Sequence, residues 1–393
     1  MTLGEQRFET KTIHDGYDSK SHHNSLASPI YQTSTFTFET AEAGERRFAG
    51  EEPGYIYSRL GNPTVRMLEE RIASLENAEG GLAFGSGMAA VSAVLMYLVK
   101  SGDHILCSEG VYGCTFGLLK MLEEKFAIEH DLLPLDSLEQ IQQAIRPNTT
   151  VIYIETPINP TLKLIDLEMI SSVAKEKGIT VVVDNTFSTP YLQRPLEFGC
   201  DIVLHSATKY IGGHGDVVAG LVVSDKNTIT AIAKSTQKDI GGILSPFDAW
   251  LLLRGLKTLP IRMDRHCSNA HNIVQKLIEH PSVTNVMYPG REQSPSYPIA
   301  QKQMKSPGGL ISFELNGGKQ EAQNFMNRLG MIKIAVSLGD AETLIQHPAT
   351  MTHAVVPEEE RKRMGISESL IRLSIGLEAW EDIWGDIEQA LEK

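Results

Sequence analysis

Short runs rich in Val and Ile alternate with helix-like segments between residues 80 and 224. The strand-like runs are LAFGSG, HILCSEG, TVIYIETP, ITVVVDN, DIVLHSATK and AGLVVSD. Helix-like stretches follow the first three runs, namely MAAVSAVLMYLV, TFGLLKMLEEKFA and LEMISSVAKEKG. This alternation is typical of a mostly parallel sheet whose two faces are covered by helices. The sequence therefore predicts an α/β fold.

The segments on either side of this alternation have a different character. Residues 1–60 are rich in Ser, Thr, Gly and Pro without a long helical period, which favours an extended arm that packs on another surface. The stretch NPTVRMLEERIASLENAEG predicts a helix that begins near Pro63 and ends at Gly80–Gly81. After residue 245 we expect a long helix interrupted at Pro260, then the strands GGLISFEL and ESLIRLSIGL. We therefore expect an N-terminal arm (1–60), an α/β domain (61–245) and a smaller C-terminal α+β domain (246–393).

The charge balance and the cysteines restrict the class of partner and the compartment. A formal net charge of -13, with no Lys/Arg run, disfavours binding to nucleic acid or to an anionic membrane surface. The polar N-terminus lacks a signal-peptide core, and no uninterrupted run of about 18 apolar residues predicts a spanning helix. The four cysteines show no metal-ligand spacing, so we expect reduced thiols in the cytoplasm and no metal site.

Several polar residues fall where the predicted strands end, which is the edge at which parallel sheets bind ligands. They are Ser86, Tyr112, Asn159, Asp184 and Lys209. The turn Gly85–Ser86–Gly87–Met88 precedes a helix, so its amides suit either a phosphate or only a tight turn. The turn matches neither a Walker loop, GxGxxG nor GxSxG, which disfavours a nucleotide-binding protein and a serine hydrolase.

Asp184 and Lys209 each follow an apolar run directly or closely. Asp184 serves either as a helix cap or as the carboxylate that keeps a cofactor's ring nitrogen protonated. Lys209 is flanked by Ser206 and Thr208, and its amine either reaches solvent at the sheet edge or forms a Schiff base. A Schiff-base lysine requires a lowered pKa, which partial burial and nearby cations provide.

The stretch DIVLHSATKYIGGH resembles, position by position, the lysine signature of the Cys/Met-metabolism enzymes that depend on pyridoxal 5'-phosphate (PLP). The resemblance runs from about residue 10 to the C-terminus. It continues through YSRLGNPT, FGSGMAA, EGVYGCT, ETPINP, VDNTF, SLGDAETL and IRLSIGLE. It implies the PLP-dependent transferase fold of type I, with PLP as the cofactor.

The same resemblance implies a role for each matching residue. Lys209 forms the Schiff base, Asp184 pairs with the pyridine nitrogen and Tyr112 stacks on the ring. The phosphate contacts implied are the amides of Gly87 and Met88, the hydroxyls of Ser206 and Thr208, and Tyr57 and Arg59 of a neighbouring subunit. Arg372, with Ser337 and Asn159, binds the substrate carboxylate, and Asn159 also borders the cofactor. The family further implies a homo-oligomer, a tetramer built from dimers that share active sites.

A few positions bear on the reaction. Cys114, where most relatives have glycine, is either a small apolar filler or a mark of the methionine γ-lyases. Lys238–Asp239 also resembles these lyases, and Val336 is apolar where cystathionine γ-lyases tend to carry glutamate. The resemblance implies α,γ-elimination of L-methionine, with homocysteine and cysteine as further substrates. Tyr112 is the expected acid for the leaving thiolate, its pKa lowered by cations such as Arg59.

Three kinds of alternative function stay open at the level of sequence. The nearest is another member of the same family, either a cystathionine γ-lyase or a γ-replacement enzyme such as O-acetylhomoserine sulfhydrylase. A nucleotide-binding module or dehydrogenase on the same kind of sheet belongs to a different class. A non-catalytic regulator that binds PLP is the third, and the presence of every expected site residue disfavours it.

Overall fold

The computed structural model describes residues 6–354 and 356–392 of the 393-residue chain. Residues 1–5 of the predicted arm, and Val355 and Lys393 of the predicted C-terminal domain, lie outside the described residues. Two sheets organise the rest, one formed between residues 80 and 224 and the other between residues 283 and 374. Among the described helices, none combines the length and apolar character needed to cross a membrane.

The larger sheet has seven strands in the order β1-β7-β6-β5-β4-β2-β3. They are β1 (Gly80–Phe84), β2 (His104–Ser108), β3 (Glu129–Leu133), β4 (Thr149–Glu155), β5 (Thr180–Asp184), β6 (Ile202–Ser206) and β7 (Gly220–Ser224). Strands β6, β5, β4, β2 and β3 pair in parallel, whereas β7 is antiparallel to both of its neighbours. The predicted mostly parallel sheet is confirmed, and its parallel strands end at one edge.

Helices precede, connect and follow the strands of both sheets. They are α1 (Phe8–His14), α2 (Ala41–Ala49), α3 (Pro63–Leu75), α4 (Gly87–Leu98), α5 (Gly113–Phe126), α6 (Leu138–Ala144), α7 (Leu167–Lys177), α8 (Thr189–Leu192), α9 (Lys226–Ile232), α10 (Lys238–Ile240), α11 (Pro246–Leu256), α12 (Leu259–Glu279), α13 (Tyr297–Gln303), α14 (Lys319–Arg328), α15 (Glu358–Arg363) and α16 (Trp380–Leu391). Short 3₁₀ helices cover Ser19–His22, Pro195–Phe198 and Pro348–Thr350, and a π-helical turn covers Ala233–Gln237.

Both faces of the larger sheet are buried, as strand β7 illustrates. Leu221 and Val223 belong to the core under α3 and α11, whereas Val222 belongs to the core under α4 and α5. Successive residues of a strand point to opposite faces, so a continuous apolar run indicates a strand covered on both sides. The Val/Ile runs of the sequence have this property.

The smaller sheet has the order β10-β11-β12-β9-β8. Its strands are β8 (Val283–Met287), β9 (Leu310–Leu315), β10 (Lys333–Ile334), β11 (Leu344–Gln346) and β12 (Leu370–Ser374). All pairings except β10 with β11 are antiparallel. Helix α12 joins the two halves of the molecule, because Met263 packs in the core of the larger sheet and Ile273 in that of the smaller one.

Three local expectations differ from the structure. Helix α3 ends at Leu75 rather than at Gly80–Gly81, because Asn77 takes a left-handed φ of 56° and Gly80 starts β1. The long helix after residue 245 breaks at Lys257–Thr258, and Pro260 lies in the first turn of α12, where a missing N–H costs nothing. The arm, expected to be extended, contains α1 and α2, the latter capped by the Thr40 hydroxyl.

Candidate active site

A cavity of about 260 Å³ opens where β4, β5 and β6 end, facing strand β12. Ten of the predicted site residues line it: Gly87, Met88, Tyr112, Asn159, Asp184, Ser206, Thr208, Lys209, Val336 and Arg372. The other four are Ser337, whose side chain contacts Lys209, and Tyr57, Arg59 and Cys114, which do not line the cavity. Residues separated by up to 285 positions in the chain therefore meet at one sheet edge.

The start of α4 forms one wall of the cavity. Ser86 caps this helix, since its Oγ accepts a hydrogen bond from the Ala89 amide at 3.0 Å. A Cβ atom at Gly87 would lie 3.0 Å from the Cβ of Ser206, so only glycine fits there without displacing that residue. The amide N–H groups of Gly87 and Met88 lie in the first turn of α4, where they have no acceptor within the helix. Such free N–H groups at a helix N-terminus favour the binding of an anion.

Asp184 ends β5 and lines the cavity. Its Oδ1 accepts hydrogen bonds from the Thr186 amide at 3.0 Å and from the Thr186 hydroxyl at 2.5 Å. Burial raises the pKa of Asp184, while these hydrogen bonds and the charge of His205 act in the opposite direction. A buried carboxylate of this kind is stabilised by a protonated ring nitrogen placed against it.

Lys209 lies just beyond β6, with its Nζ 3.3 Å from the Oγ of Ser337. Burial lowers the pKa of Lys209, the charge of Arg372 lowers it further, and Asp340 opposes them. A lowered pKa increases the neutral fraction of the amine, which is the form that attacks an aldehyde or accepts a proton. The partial burial and nearby cation expected from the sequence are both present.

Arg372 projects from β12 and is 3% exposed. It donates hydrogen bonds to Oδ1 of Asn159 and to the carbonyl oxygen of Ser337, both at 2.9 Å. Burial lowers its pKa to about 10. No carboxylate within the described residues forms a salt bridge with Arg372, so a buried cation faces the cavity without a counter-charge. A buried cation raises the free energy of the folded protein unless an anion pairs with it. The planar guanidinium group can bind a carboxylate through two parallel hydrogen bonds.

Tyr112 stands at the entrance to α5, and its side chain lines the cavity. The pKa of Tyr112 is raised to about 12, chiefly by its hydrogen bond with Cys114 and by burial. Our expectation of a lowered pKa is therefore wrong for the described chain, because Arg59 lies elsewhere. The guanidinium of Arg59 donates to the carbonyl oxygen of Lys238 at 2.6 Å and lies over the ring of Tyr57.

Among the cavity residues missed at the level of sequence, two make hydrogen bonds that position predicted site residues. Glu155 ends β4 and accepts the backbone amide of Tyr112, and Thr186 joins Asp184 to the amide of Ser206. The signal for Glu155 was available, because it follows an apolar strand in the same way as Asp184. Thr186 carries no such signal, since its role depends on two neighbouring strands.

These groups fit PLP in three separate respects. The amides at the start of α4 and the Ser206 hydroxyl would hold the phosphate, and the buried Asp184 would pair with the pyridine nitrogen. Lys209, whose pKa burial lowers, would supply the amine for the aldehyde. The cavity and the sheet above which it lies thus define a PLP-dependent enzyme of fold type I.

Comparison with known proteins agrees with this class. The sequence profile of the family described as Cys/Met metabolism PLP-dependent enzyme matches residues 9–392. The chain belongs to this family. It is 51% identical over 395 residues to an L-methionine gamma-lyase of Fusobacterium nucleatum subsp. nucleatum, with 100% of both chains covered. It is 49% identical to an L-methionine gamma-lyase of Pseudomonas putida, with 98% of this chain and 97% of the relative covered.

A solved structure gives the same result for the fold. The crystal structure of cystathionine gamma-lyase from Lactobacillus plantarum complexed with L-serine superimposes with a TM-score of 0.93. It is 41% identical to this protein, and the match covers 98% of this chain and 99% of that one.

Proposed function

We propose that this protein is a methionine γ-lyase, which converts L-methionine and water into methanethiol, 2-oxobutyrate and ammonia. The observation that carries the proposal is the 51% identity, over the full length of both chains, to a relative of that name. The apolar Val336 at the cavity supports it, because an uncharged wall suits a methylthio group. We expect homocysteine and cysteine to be further substrates.

The cavity residues suggest how each part of methionine is held. Arg372 binds the α-carboxylate through its planar fork, and Asn159 and Ser337 hold the guanidinium in place. Once bound, PLP withdraws electrons from the carbon atoms next to the substrate's amino group and so supplies the electron sink for elimination. Asp184 would keep the ring nitrogen protonated. The phosphate would be held by Gly87, Met88, Ser206 and Thr208.

Proton movements fall to Lys209 and Tyr112. The Lys209 amine removes the proton from Cα, returns that proton to the bound substrate and cofactor, and, neutral again, removes a proton from Cβ. Burial lowers its pKa, which increases the neutral fraction of the amine that can accept these protons. Tyr112 donates a proton to the sulfur atom that leaves Cγ. Because its pKa is raised to about 12, the phenol carries that proton at neutral pH. Cys114, whose thiol neighbours the phenol, would orient it.

The direct test compares three substrates on the purified holoenzyme. We expect methanethiol and 2-oxobutyrate from L-methionine at a higher kcat/KM than that of cysteine release from cystathionine. Sulfide incorporation into O-acetylhomoserine is expected to be slower than either. If methionine releases no methanethiol while cystathionine is cleaved, the proposal is overturned in favour of a cystathionine γ-lyase, the name of the superimposed structure.

The assembly we propose is a homotetramer built from dimers, located in the cytoplasm. Tyr57 and Arg59 do not line the cavity of their own chain, which supports their delivery to a partner's site. Leu26 and Phe48 in the arm are 94% and 69% exposed, as expected of side chains that a second subunit covers. All four cysteines are free thiols, which supports a reducing compartment. We retain the arm (1–60) and the domains 61–245 and 246–393 as the proposed division of the chain.

A further inference from the structure

Glu155 is a carboxylate of the cavity to which the proposed reaction gives no task. It is the last residue of β4, is 7% exposed and lines the cavity beside Asp184. Its two carboxyl oxygens lie 2.9 and 3.0 Å from the backbone nitrogen of Tyr112, which donates to them. The backbone amide of Glu155 in turn donates to the Ser108 hydroxyl at 3.1 Å, which ties this strand end to β2.

The amide of Tyr112 has a special position in the chain. Tyr112 directly precedes α5, with φ of −50° and ψ of 137°, and its own side chain makes no capping hydrogen bond. Its N–H therefore lies outside the helical hydrogen-bond ladder. Within the described residues, the carboxyl group of Glu155 is its only acceptor. Because the Tyr112 side chain leaves the backbone at this residue, a contact that fixes its amide also restricts the directions in which the phenol can point.

The charge state of Glu155 is compatible with this role. Glu155 and Asp184 are register partners on adjacent parallel strands, which places two carboxyl groups at one buried edge. Burial raises the pKa of Glu155 well above its usual range, and the charge of Asp184 raises it further. A protonated carboxyl group keeps an oxygen that accepts an N–H, so the hold on Tyr112 does not require a second anion beside Asp184.

We propose that Glu155 is a positioning residue, whose carboxyl group holds the backbone amide of Tyr112 and thereby fixes the phenol ring over the cofactor cavity. The inference rests on the proposed function, because it takes Tyr112 to stack on the cofactor and to protonate the leaving sulfur. Glu155 acts through Tyr112 and touches no reacting atom.

A purely structural role for Glu155 is the competing explanation, and the chain offers a matched control for it. Glu69 on α3 is also a buried carboxylate that accepts a backbone amide, that of Ala83 at 3.1 Å, and it does not line the cavity. Replacing Glu69 removes a comparable hydrogen bond from a place where no cofactor contact depends on it.

The experiment uses the holoenzyme and the variants Glu155→Gln, Glu155→Ala and Glu69→Ala. Two readouts besides activity are the visible circular dichroism of the bound cofactor and the deuterium uptake of the peptide around Tyr112. We expect Glu155→Ala to diminish the dichroism, to speed deuterium uptake and to lower kcat about tenfold or more with KM changed less than about threefold. Glu155→Gln keeps an acceptor oxygen and is expected to stay within about threefold of the wild type in kcat.

The control sets the criterion for rejection. Glu69→Ala is expected to lower thermal stability while leaving the dichroism and the Tyr112 peptide unchanged. Wild-type dichroism and uptake in Glu155→Ala, or an equal loss in Glu155→Gln, overturn the proposal. If Glu155→Ala does not fold, Glu155→Asp replaces it, since its carboxyl group is one methylene shorter and is expected to give the same losses.

Failure of the proposed function is distinguishable from failure of this inference. If the wild type releases no methanethiol, the methionine γ-lyase proposal is overturned. The dichroism and deuterium uptake still decide whether Glu155 holds Tyr112, since neither measurement requires turnover.

Discussion

At the scale of single residues, Lys209 and Arg372 form a pair of cations that shape the cavity's chemistry. Burial, then the charge of Arg372, lowers the pKa of Lys209, and burial alone lowers that of Arg372 to about 10. The two positive charges repel each other, and an anion bound between or beside them would offset this repulsion. In the proposed reaction the substrate carboxylate pairs with Arg372, and the lowered pKa favours the neutral Lys209 amine that takes up a proton.

The proposed role of Tyr112 as an acid leads to a first prediction. Tyr112→Phe keeps the aromatic ring but removes the phenol proton, so we expect kcat for methionine to fall about 10²- to 10⁴-fold. Elimination of acetate from O-acetylhomoserine needs no acid, because acetate is a weak base, and is expected to fall much less. The measurement is 2-oxobutyrate production from both substrates, and an unchanged rate with methionine contradicts the assignment.

Val336 gives a prediction about specificity. It is 62% exposed at the cavity, so a longer side chain is accommodated without loss of core packing. We expect Val336→Glu to lower kcat/KM for methionine about tenfold and to raise that for cystathionine, whose distal ammonium pairs with the new carboxylate. Val336→Gln, equal in size but uncharged, is the control and is expected to show the loss without the gain.

At the scale of elements, α3 is joined to the sheet by two buried carboxylates. Glu69 accepts a hydrogen bond from the backbone amide of Ala83 in β1. Glu76, just after α3, lies 2.6 Å from Nε2 of His205 in β6 and accepts a hydrogen bond from the side-chain amide of Asn185 at 3.2 Å. Glu76 and His205 are both fully buried. The helix thus steadies, from the opposite side, the strand ends that carry Asp184 and Ser206.

Glu69 makes the stability of this contact depend on pH. Burial raises its pKa from 4.5 to about 7 in the folded protein. The folded state therefore binds more protons than the unfolded state between these values, and the free energy of unfolding falls as pH rises through them. The contribution lost above pH 7 is on the order of 3 kcal/mol.

The corresponding prediction concerns Glu69→Gln, which cannot ionise. We expect its melting temperature relative to the wild type to increase as pH rises from about 5 to about 8. Differential scanning fluorimetry of the two proteins across this range measures the difference. Glu70→Gln, at an exposed neighbouring position, is the control; a pH-independent difference for Glu69→Gln contradicts the interpretation.

At the scale of the whole molecule, the arm carries two predicted phosphate-binding residues that do not reach the cavity of their own chain. Arg59 is bound to the carbonyl oxygen of Lys238 in its own chain, away from the Lys209 cavity. If a partner's phosphate is its target, each active site needs two subunits. Inactive variants are then expected to complement one another.

The complementation test mixes Lys209→Ala with Arg59→Ala. In a hybrid dimer, one site receives intact Lys209 and intact Arg59, and the other receives neither, so random pairing is expected to restore about a quarter of wild-type activity. Co-expression with two different affinity tags isolates the hybrid for assay. Activity no greater than the sum of the parents contradicts a shared site.

Different levels of the structure were predictable from sequence to different degrees. Most strands could be located from two patterns in the sequence. One is a continuous apolar run, which reflects burial on both faces, and the other is an alternation of apolar and polar residues. The strands found in this way are β1, β2, β4, β5, β6, β7, β9 and β12. Strand β3, with the sequence EHDLL at the sheet edge, has no such pattern, and β10 and β11 contain only two and three residues. Short or edge strands depend on their neighbours, so local sequence does not define them.

The chain's own sequence determined the α/β class, the position of each strand end and the residue types found there, because apolar periodicity and covalent order are local properties. Only the tertiary structure decided what those residues contact. Asn159 and Arg372, 213 positions apart, share a hydrogen bond, and the pKa of Tyr112 is raised rather than lowered. Glu155 acquired its contact with Tyr112 because β4 pairs with β2 and α5 starts just beyond β2. Hydrogen bonds and pKa shifts depend on distance and burial, which the packed chain alone defines.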